Sequence, residues 1–364
     1  MHFVYKLDIF KLARLRCAAY CLATMLICNL SSSVACAQAA KPAQESETMI
    51  LRIGIIGLDT SHATNFAKII NAPDAPAPFD QCHIVAAVAQ GSRDIRSSVE
   101  RVPGYTKTVQ ELGVEIVDSI DDLLPLVDAV LLESNDGKPH LEQVLPVLKA
   151  GLPVFVDKPL AASLVDTLAI FEAARTSGTP LFSSSSLRYA KAVQSARAGT
   201  LVGKVIGVDT FSPAPTEPSH PDFYWYGIHG VEPLVAAMGP GCATVSRTHT
   251  EGTDLLVCTW SDGRIGTVRG IRDGRHNYGG IIHGVEGEKP TGGYEGYAPL
   301  LVEIVKFFQS KEVPIASQET IEIYALMSAA DASLEQNGAA VSLSELIAEA
   351  QAKVPARLAE FGWK

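Results

Sequence analysis

At 364 residues, of which 47% are hydrophobic and 19% charged, the chain has the length for two domains and a composition that excludes a disordered protein. A formal charge of −10 with no compensating basic stripe argues against nucleic acid as the main partner.

The first 39 residues differ from the rest. Lys6, Lys11, Arg14 and Arg16 precede an uncharged apolar stretch from Cys17 to Leu30, and the small residues of 31–39 offer cleavage at Ala35-Cys36-Ala37 or Ala37-Gln38-Ala39. This is the pattern of a signal peptide, and it predicts export to the periplasm or beyond. The apolar stretch is shorter than the roughly 20 residues of a membrane span, so the mature form is expected off the membrane. A lipoprotein cleaved before Cys36 is the weaker alternative. Residues 40–49, largely polar, read as a linker. Removing 1–39 leaves a mature charge of −13 and three cysteines, Cys82, Cys242 and Cys258. With no C-x-x-C spacing these read as buried thiols, neither a disulfide framework nor a zinc knuckle.

From Leu51 to His62 the chain reads as strand, turn and helix, with Ile53, Ile55 and Ile56 in the strand and Ser61 as a helix cap. A strand running into a helix N-terminus presents free N–H groups to a phosphate. The glycine fingerprint is incomplete. Gly57 stands at its first position, but Asp59 and His62 take the second and third, and a carboxylate beside a pyrophosphate is unfavourable unless it turns away. A second strand over 83–89 ends at Gln90, Gly91, Ser92 and Arg93, with no acid for a ribose; Ser92 and Arg93 suit a 2′-phosphate and favour NADP slightly over NAD.

Further alternation follows: strands over 114–117, 129–132 and 154–156, and helices over 120–126 and 140–150. Such alternation predicts a parallel, doubly wound sheet whose ligands lie past the strand ends. The residues in those places are Asp59, Gln90, Glu133, Ser134, Asn135 and the run Asp157-Lys158-Pro159. Pro159 biases Lys158 towards an extended backbone, which would hold its ammonium at the sheet edge. Strands over 204–211, 242–249, 254–259 and 265–269 belong to a second sheet, and 344–363 has helical spacing.

The opening strand with Gly54 and Gly57, then AGLPVFVDKPLA, TPLFSSSSLRYA and YGIHGVEPLVAAMG, resembles the Gfo/Idh/MocA oxidoreductases over about Leu51 to Leu343. The resemblance implies an α/β protein: a Rossmann-type doubly wound parallel sheet (50–186) plus a second α+β domain with an open, largely antiparallel sheet (187–343). It also implies a late helix (318–337) packed back on the first domain, and 344–364 forms a helical tail beyond the family core. An NAD(P)-dependent oxidation of a sugar, cyclitol or derivative is implied, and pairing of subunits through the second sheet. The family's Glu-Lys-Pro appears as Asp157-Lys158-Pro159, and its catalytic histidine falls on His229, with Glu232 three residues later. The family aspartate four residues before that histidine falls on Trp225.

Lys158 and His229 are therefore the candidate catalytic residues. Arg188, Tyr189, Tyr226 and Glu232 are candidate substrate contacts. Gly57, Asp59, Ser61, His62, Ser92, Arg93, Glu133, Ser134, Asn135 and Lys158 are candidate cofactor contacts. A metal cluster of His220, Asp222, His229 and Glu232 has spacing that arises easily by chance and is not expected. Export raises a further point. Outside the cytoplasm there is no free nicotinamide pool, so an exported enzyme of this kind must retain its cofactor, yet the leader carries Arg14-Leu15-Arg16 and no adjacent arginine pair. The alternative is a non-catalytic carbohydrate-binding or scaffolding protein on the same fold.

Overall fold

The computed structural model describes residues 50–363, so the leader and linker expected over 1–49 lie outside the described residues. Two sheets organise the chain. The first is built from β1 (Leu51–Ile56), β2 (Cys82–Val88), β3 (Glu115–Val117), β4 (Ala129–Leu132), β5 (Val154–Val156) and β6 (Leu181–Ser183), all parallel, in the order β3-β2-β1-β4-β5-β6. The connecting helices are α1 (Ser61–Ile70), α2 (Arg96–Glu111), α3 (Ile120–Leu123), α4 (His140–Lys149) and α5 (Leu164–Ser177). β1 and β4 are neighbours, and strand order reverses between them. The turns leaving them therefore diverge and open a crevice at the C-terminal edge of the sheet.

Beyond α6 (Lys191–Arg197) come β7 (Val205–Pro213), α7 (Ile228–Met238), β8 (Cys242–Thr250), β9 (Thr253–Trp260), β10 (Ile265–Ile271), β11 (Gly279–Gly284) and β12 (Gly287–Pro290). α8 (Ala298–Ser310), α9 (Ser317–Glu335), β13 (Val341–Ser342), α10 (Leu343–Gln351) and α11 (Val354–Glu360) complete the chain. The second sheet runs β12-β11-β7-β10-β9-β8-β13 and is antiparallel except for the β7–β10 pair.

Both faces of the first sheet are buried, as continuous apolar strands require. Ile53, Ile55, Ile84, Phe155 and Phe182 pack against Phe66 of α1 and Ile304 and Phe307 of α8, with Phe182 and Phe307 edge to face at 4.9 Å. On the other face Ile56, Val130, Leu132 and Val156 meet α4 and α5. That core continues through α7 and α9 to Val208, Leu256 and Val268 of the second sheet. Two late helices thus return to the first sheet's layers, α8 against its strands and α9 beside α5. The tail forms two helices, α10 and α11, and Arg357 of α11 pairs with Asp166 of α5 at 2.7 Å.

Two local features set the site. The cap of α1 is Thr60 and not Ser61: Thr60 is extended, and its hydroxyl accepts the His62 N–H at 3.3 Å, so the helix starts one residue earlier than expected. Before α7, residues Phe223–Gly227 form a wide π-helical turn. Arg247 of β8 anchors its start, since the buried guanidinium bonds Asp222 as well as Asp254 and Asp331, each at 2.8 Å.

Candidate active site

Gly57 has φ +93°, and a Cβ there would lie 2.5 Å from the Ser134 hydroxyl, so the turn after β1 admits only glycine. Asp59 does turn away from the crevice. It is fully buried, and its carboxylate accepts the Ser92 amide at 3.1 Å and the Asn135 amide at 2.9 Å. The charge thus ties the ends of β2 and β4 to the β1 turn and does not serve as a cofactor contact.

The pocket expected for a 2′-phosphate is not assembled. Ser92 donates its hydroxyl to Asp136 at 2.7 Å, while Arg93 is exposed to solvent. Burial raises the Asp136 carboxyl, but His220, the Lys138 amide and Ser92 outweigh it and hold the acid at about 2. A phosphate placed on Ser92 would face this ionised carboxylate, which removes the ground for preferring NADP.

His62, Glu133 and Asp157 meet beneath the crevice. The His62 ring contacts Tyr297 and Phe66, and its Nδ1 lies 2.8 Å from Asp157. Burial raises the Asp157 carboxyl, yet His62 and Lys158 bring it below the usual range. Glu133 is fully buried and so does not meet a ligand in the cleft directly; burial and the charge of Asp157 push its carboxyl well up. Ser134 is also closed off, leaving Asn135 as the member of that trio on the cleft wall.

The cleft itself encloses about 320 Å³ between the two sheets. Lys158 and His229 both line it and both contact Tyr226: the Lys158 ammonium is 5.7 Å from the Tyr226 ring centroid and the His229 ring 5.2 Å. Trp225, where the resemblance would place an acid, packs at a tilt against His220 instead, with ring centroids 5.0 Å apart. The orienting partner of His229 is Ser185, whose Oγ is 2.8 Å from Nδ1, and among the described residues Nε2 has no hydrogen-bond partner. Burial, then the positive charge of Lys158, holds the His229 imidazole well below its ordinary pKa, so it stays neutral and able to take a proton.

Two expected substrate contacts belong to the support of this arrangement. Glu232 is buried and accepts from the Ser184 hydroxyl at 2.5 Å, the Ser185 amide at 2.7 Å and Arg188 at 2.8 Å. Arg188, equally buried, bonds Glu319 on its other side at 2.6 Å. These charges leave solvent as a pair and fix Ser185 behind His229. Tyr189 lines a separate crevice with Arg197 and Val302, away from Lys158. The members of the metal cluster considered over 220–232 are dispersed: His220 accepts the Gly137 amide, Asp222 pairs with Arg247 and Glu232 with Arg188. Sequence reading missed Arg101 and Tyr105 of α2 and three tyrosines, Tyr278, Tyr294 and Tyr297, all on the cleft wall. The glycine-flanked tyrosines of HNYGG and TGGYEGYAP were the available signal.

A dinucleotide requires a close turn, a helix N-terminus and a cation along one wall. Gly57 supplies the first. Thr60 and Ser61 bring the start of α1 to the cleft, and Arg101 stands beside them with its guanidinium 3.5 Å from the Asp59 carbonyl. With the Asp59 carboxylate turned inward, these residues fit the pyrophosphate, and the same cleft runs on to Lys158 and His229.

This combination, a doubly wound nucleotide-type sheet whose edge opens on a second-sheet cleft, defines a two-domain fold of a Rossmann-type sheet and a second mixed sheet. Residues 51–184 match the family described as "Oxidoreductase family, NAD-binding Rossmann fold" (GFO_IDH_MocA). Inositol 2-dehydrogenase of Cereibacter sphaeroides is 33% identical over 136 residues, 36% of this chain and 35% of that protein. The 1,5-anhydro-D-fructose reductase of Ensifer adhaerens is 35% identical over 111 residues, 30% of this chain and 32% of that protein. The chain thus spans about a third of the length of the curated relatives it matches. The crystal structure of scyllo-inositol dehydrogenase from Lactobacillus casei with NAD(H) and scyllo-inositol superposes with a TM-score of 0.64. It covers 81% of this chain and 99% of its own at 16% identity, a likeness of fold.

Proposed function

We propose that the protein is an NAD-dependent oxidoreductase acting on a secondary alcohol of a cyclitol or sugar-like molecule. The observation that carries this reading is that Lys158 and His229 line, with Tyr226, one cleft that also reaches the start of α1. Bound NAD would supply the hydride acceptor. Thr60, Ser61 and Arg101 would hold its phosphates and Asn135 would line its path. His229 takes the hydroxyl proton at Nε2 while Nδ1–H donates to Ser185, and Lys158 hydrogen-bonds the same oxygen and offsets its developing charge. Tyr226 and Tyr278, both in edge contact with His229, give a polyhydroxylated ring flat apolar walls with hydroxyl tips.

The reading includes export with the cofactor retained between turnovers, because the leader directs the chain away from the cytoplasmic nicotinamide pool. It also includes a homo-oligomer formed through the helix-free face of the second sheet, where Ile206, Phe211, Ile265 and Ile281 are exposed. Denaturing the purified protein and measuring released dinucleotide by mass and absorbance tests the first part. Near-stoichiometric NAD, followed by turnover on cyclitols that Lys158→Ala and His229→Ala abolish, is the expected result. No released dinucleotide and no binding of NAD(H) or NADP(H) at millimolar concentration would sink the dehydrogenase reading and leave a carbohydrate-binding protein.

A further inference from the structure

The cluster beneath the cleft has a chemistry that the proton relay does not use. The α1 start, the end of β4 and the end of β5 bring His62, Glu133 and Asp157 together, with one ligand atom from each lying within 4.8 Å of the others. Relative exposures are 8%, 0% and 1%. Both oxygens of Glu133, both of Asp157 and Nδ1 of His62 are buried without a well-aligned hydrogen-bond partner among the described residues. The 2.8 Å approach of His62 Nδ1 to Asp157 therefore lacks hydrogen-bond geometry. Two carboxylates and an imidazole removed from water without a well-aligned hydrogen-bond donor among the described residues are costly, and native structures leave few such groups unsatisfied. The nearest ammonium does not resolve this. Lys158 forms no ion pair with either carboxylate among the described residues and stands over the Tyr226 ring.

We propose that His62, Glu133 and Asp157 bind one divalent transition cation of the zinc or manganese class. A neutral imidazole with two carboxylates offers a donor set of charge −2, which balances the ion. Metal–ligand bonds of about 2.0–2.2 Å place neighbouring donors roughly 3–4 Å apart, so the cluster closes on an ion with small side-chain adjustments. Calcium requires six to eight oxygens and magnesium keeps several waters, and a dry N,O,O pocket suits neither. Three protein ligands leave a coordination position open, as in sites that take water or a hydroxyl. His62 is the one ligand of the three that lines the cleft, so the cleft is the route to that position. The site stands whether or not the cofactor reading holds, since it uses no residue assigned to phosphate binding or to proton transfer.

The test is metal analysis of the full-length protein, purified without chelator, followed by stripping and titration with Zn²⁺ and Mn²⁺. About one equivalent per chain is expected, with a lowered Tm on stripping. Binding to Glu133→Gln and to Asp157→Asn should be weaker by about 10- to 100-fold. If these variants do not fold, pulsed EPR of the Mn²⁺-loaded wild type decides, and coupling to a single histidine nitrogen is expected. The proposal is overturned if the protein carries no ion and the stripped wild type binds neither metal at millimolar concentration. It is equally overturned by full-strength binding in folded Glu133→Gln, or by Mn²⁺ that shows no histidine coupling. In the first of these cases a proton on Glu133 would be what reconciles the cluster.

Discussion

His229 shows how a neighbour distant in sequence can take over a job that a motif assigns elsewhere. Trp225 stands where an orienting acid was anticipated, and the partner is Ser185, 44 residues away in sequence and held by the buried Glu232–Arg188 pair. No spacing rule reaches that far, so the histidine was legible and its support was not. Asp59 is a similar case: its type and position signalled conflict with a phosphate, whereas the fold gives it two backbone amides to satisfy. A prediction follows for His229. Its depressed pKa leaves the imidazole neutral well below pH 6.5, so the acid limb of kcat/KM is expected below that value and not near it. Ser185→Ala removes the partner of Nδ1, and kcat should drop by about 10- to 100-fold with little change in KM. A pH–rate profile and the kcat and KM of both proteins check this; an acid limb at or above pH 6.5 would count against His229 as the base.

At the scale of elements, the central strands were legible because both their faces are buried and their sequences are continuously apolar. β4 and β5 fall where the alternation places them, and β1 starts the sheet as expected. α2 was not legible. Only Ser98 and Val109 of its residues are buried, and Pro103 interrupts it, so the apolar period that marks a helix is missing, although Arg101 and Tyr105 reach the cleft from it. β11 and β12 were missed for a related reason: one is glycine-rich and the other fully exposed. The segment between β7 and the π-helical turn is pinned to the first domain through His220, which lies 3.3 Å from Asp136. Because the Asp136 carboxyl is held at about 2, below its ordinary 3.8, its contribution to stability is present above pH 3.8 and lost as pH falls towards 2. Asp136→Asn should therefore cost on the order of 1 kcal/mol at neutral pH after allowance for solvent screening, and almost nothing at pH 2. Urea unfolding of both proteins across that range checks it, and a difference independent of pH would show that the ionised acid is not what pins the segment.

At the scale of the whole molecule, the two faces of the second sheet are unequal. One is covered by α7 and α9, which carry the core across from the first sheet. The other carries no helix among the described residues and exposes Ile206 at 49%, Ile265 at 53%, Phe211 at 39% and Ile281 at 39%. Phe211 and Ile281 line one shallow groove on it together with Thr267 and Arg269. A half-covered antiparallel sheet normally turns polar residues to water, and this apolar surface departs from that rule. Two-fold pairing of such faces is the simplest way to cover it. The described chain is therefore expected to sediment as an even-numbered oligomer at micromolar concentration. Ile281→Asp would place a charge in the centre of the paired faces, and it should shift the protein to monomer while leaving the fold intact, since the Ile281 side chain faces solvent within one protomer. Light scattering and sedimentation of both proteins decide the matter: a wild-type monomer at high concentration would refute the pairing, and an oligomer unchanged by Ile281→Asp would move the interface to another surface.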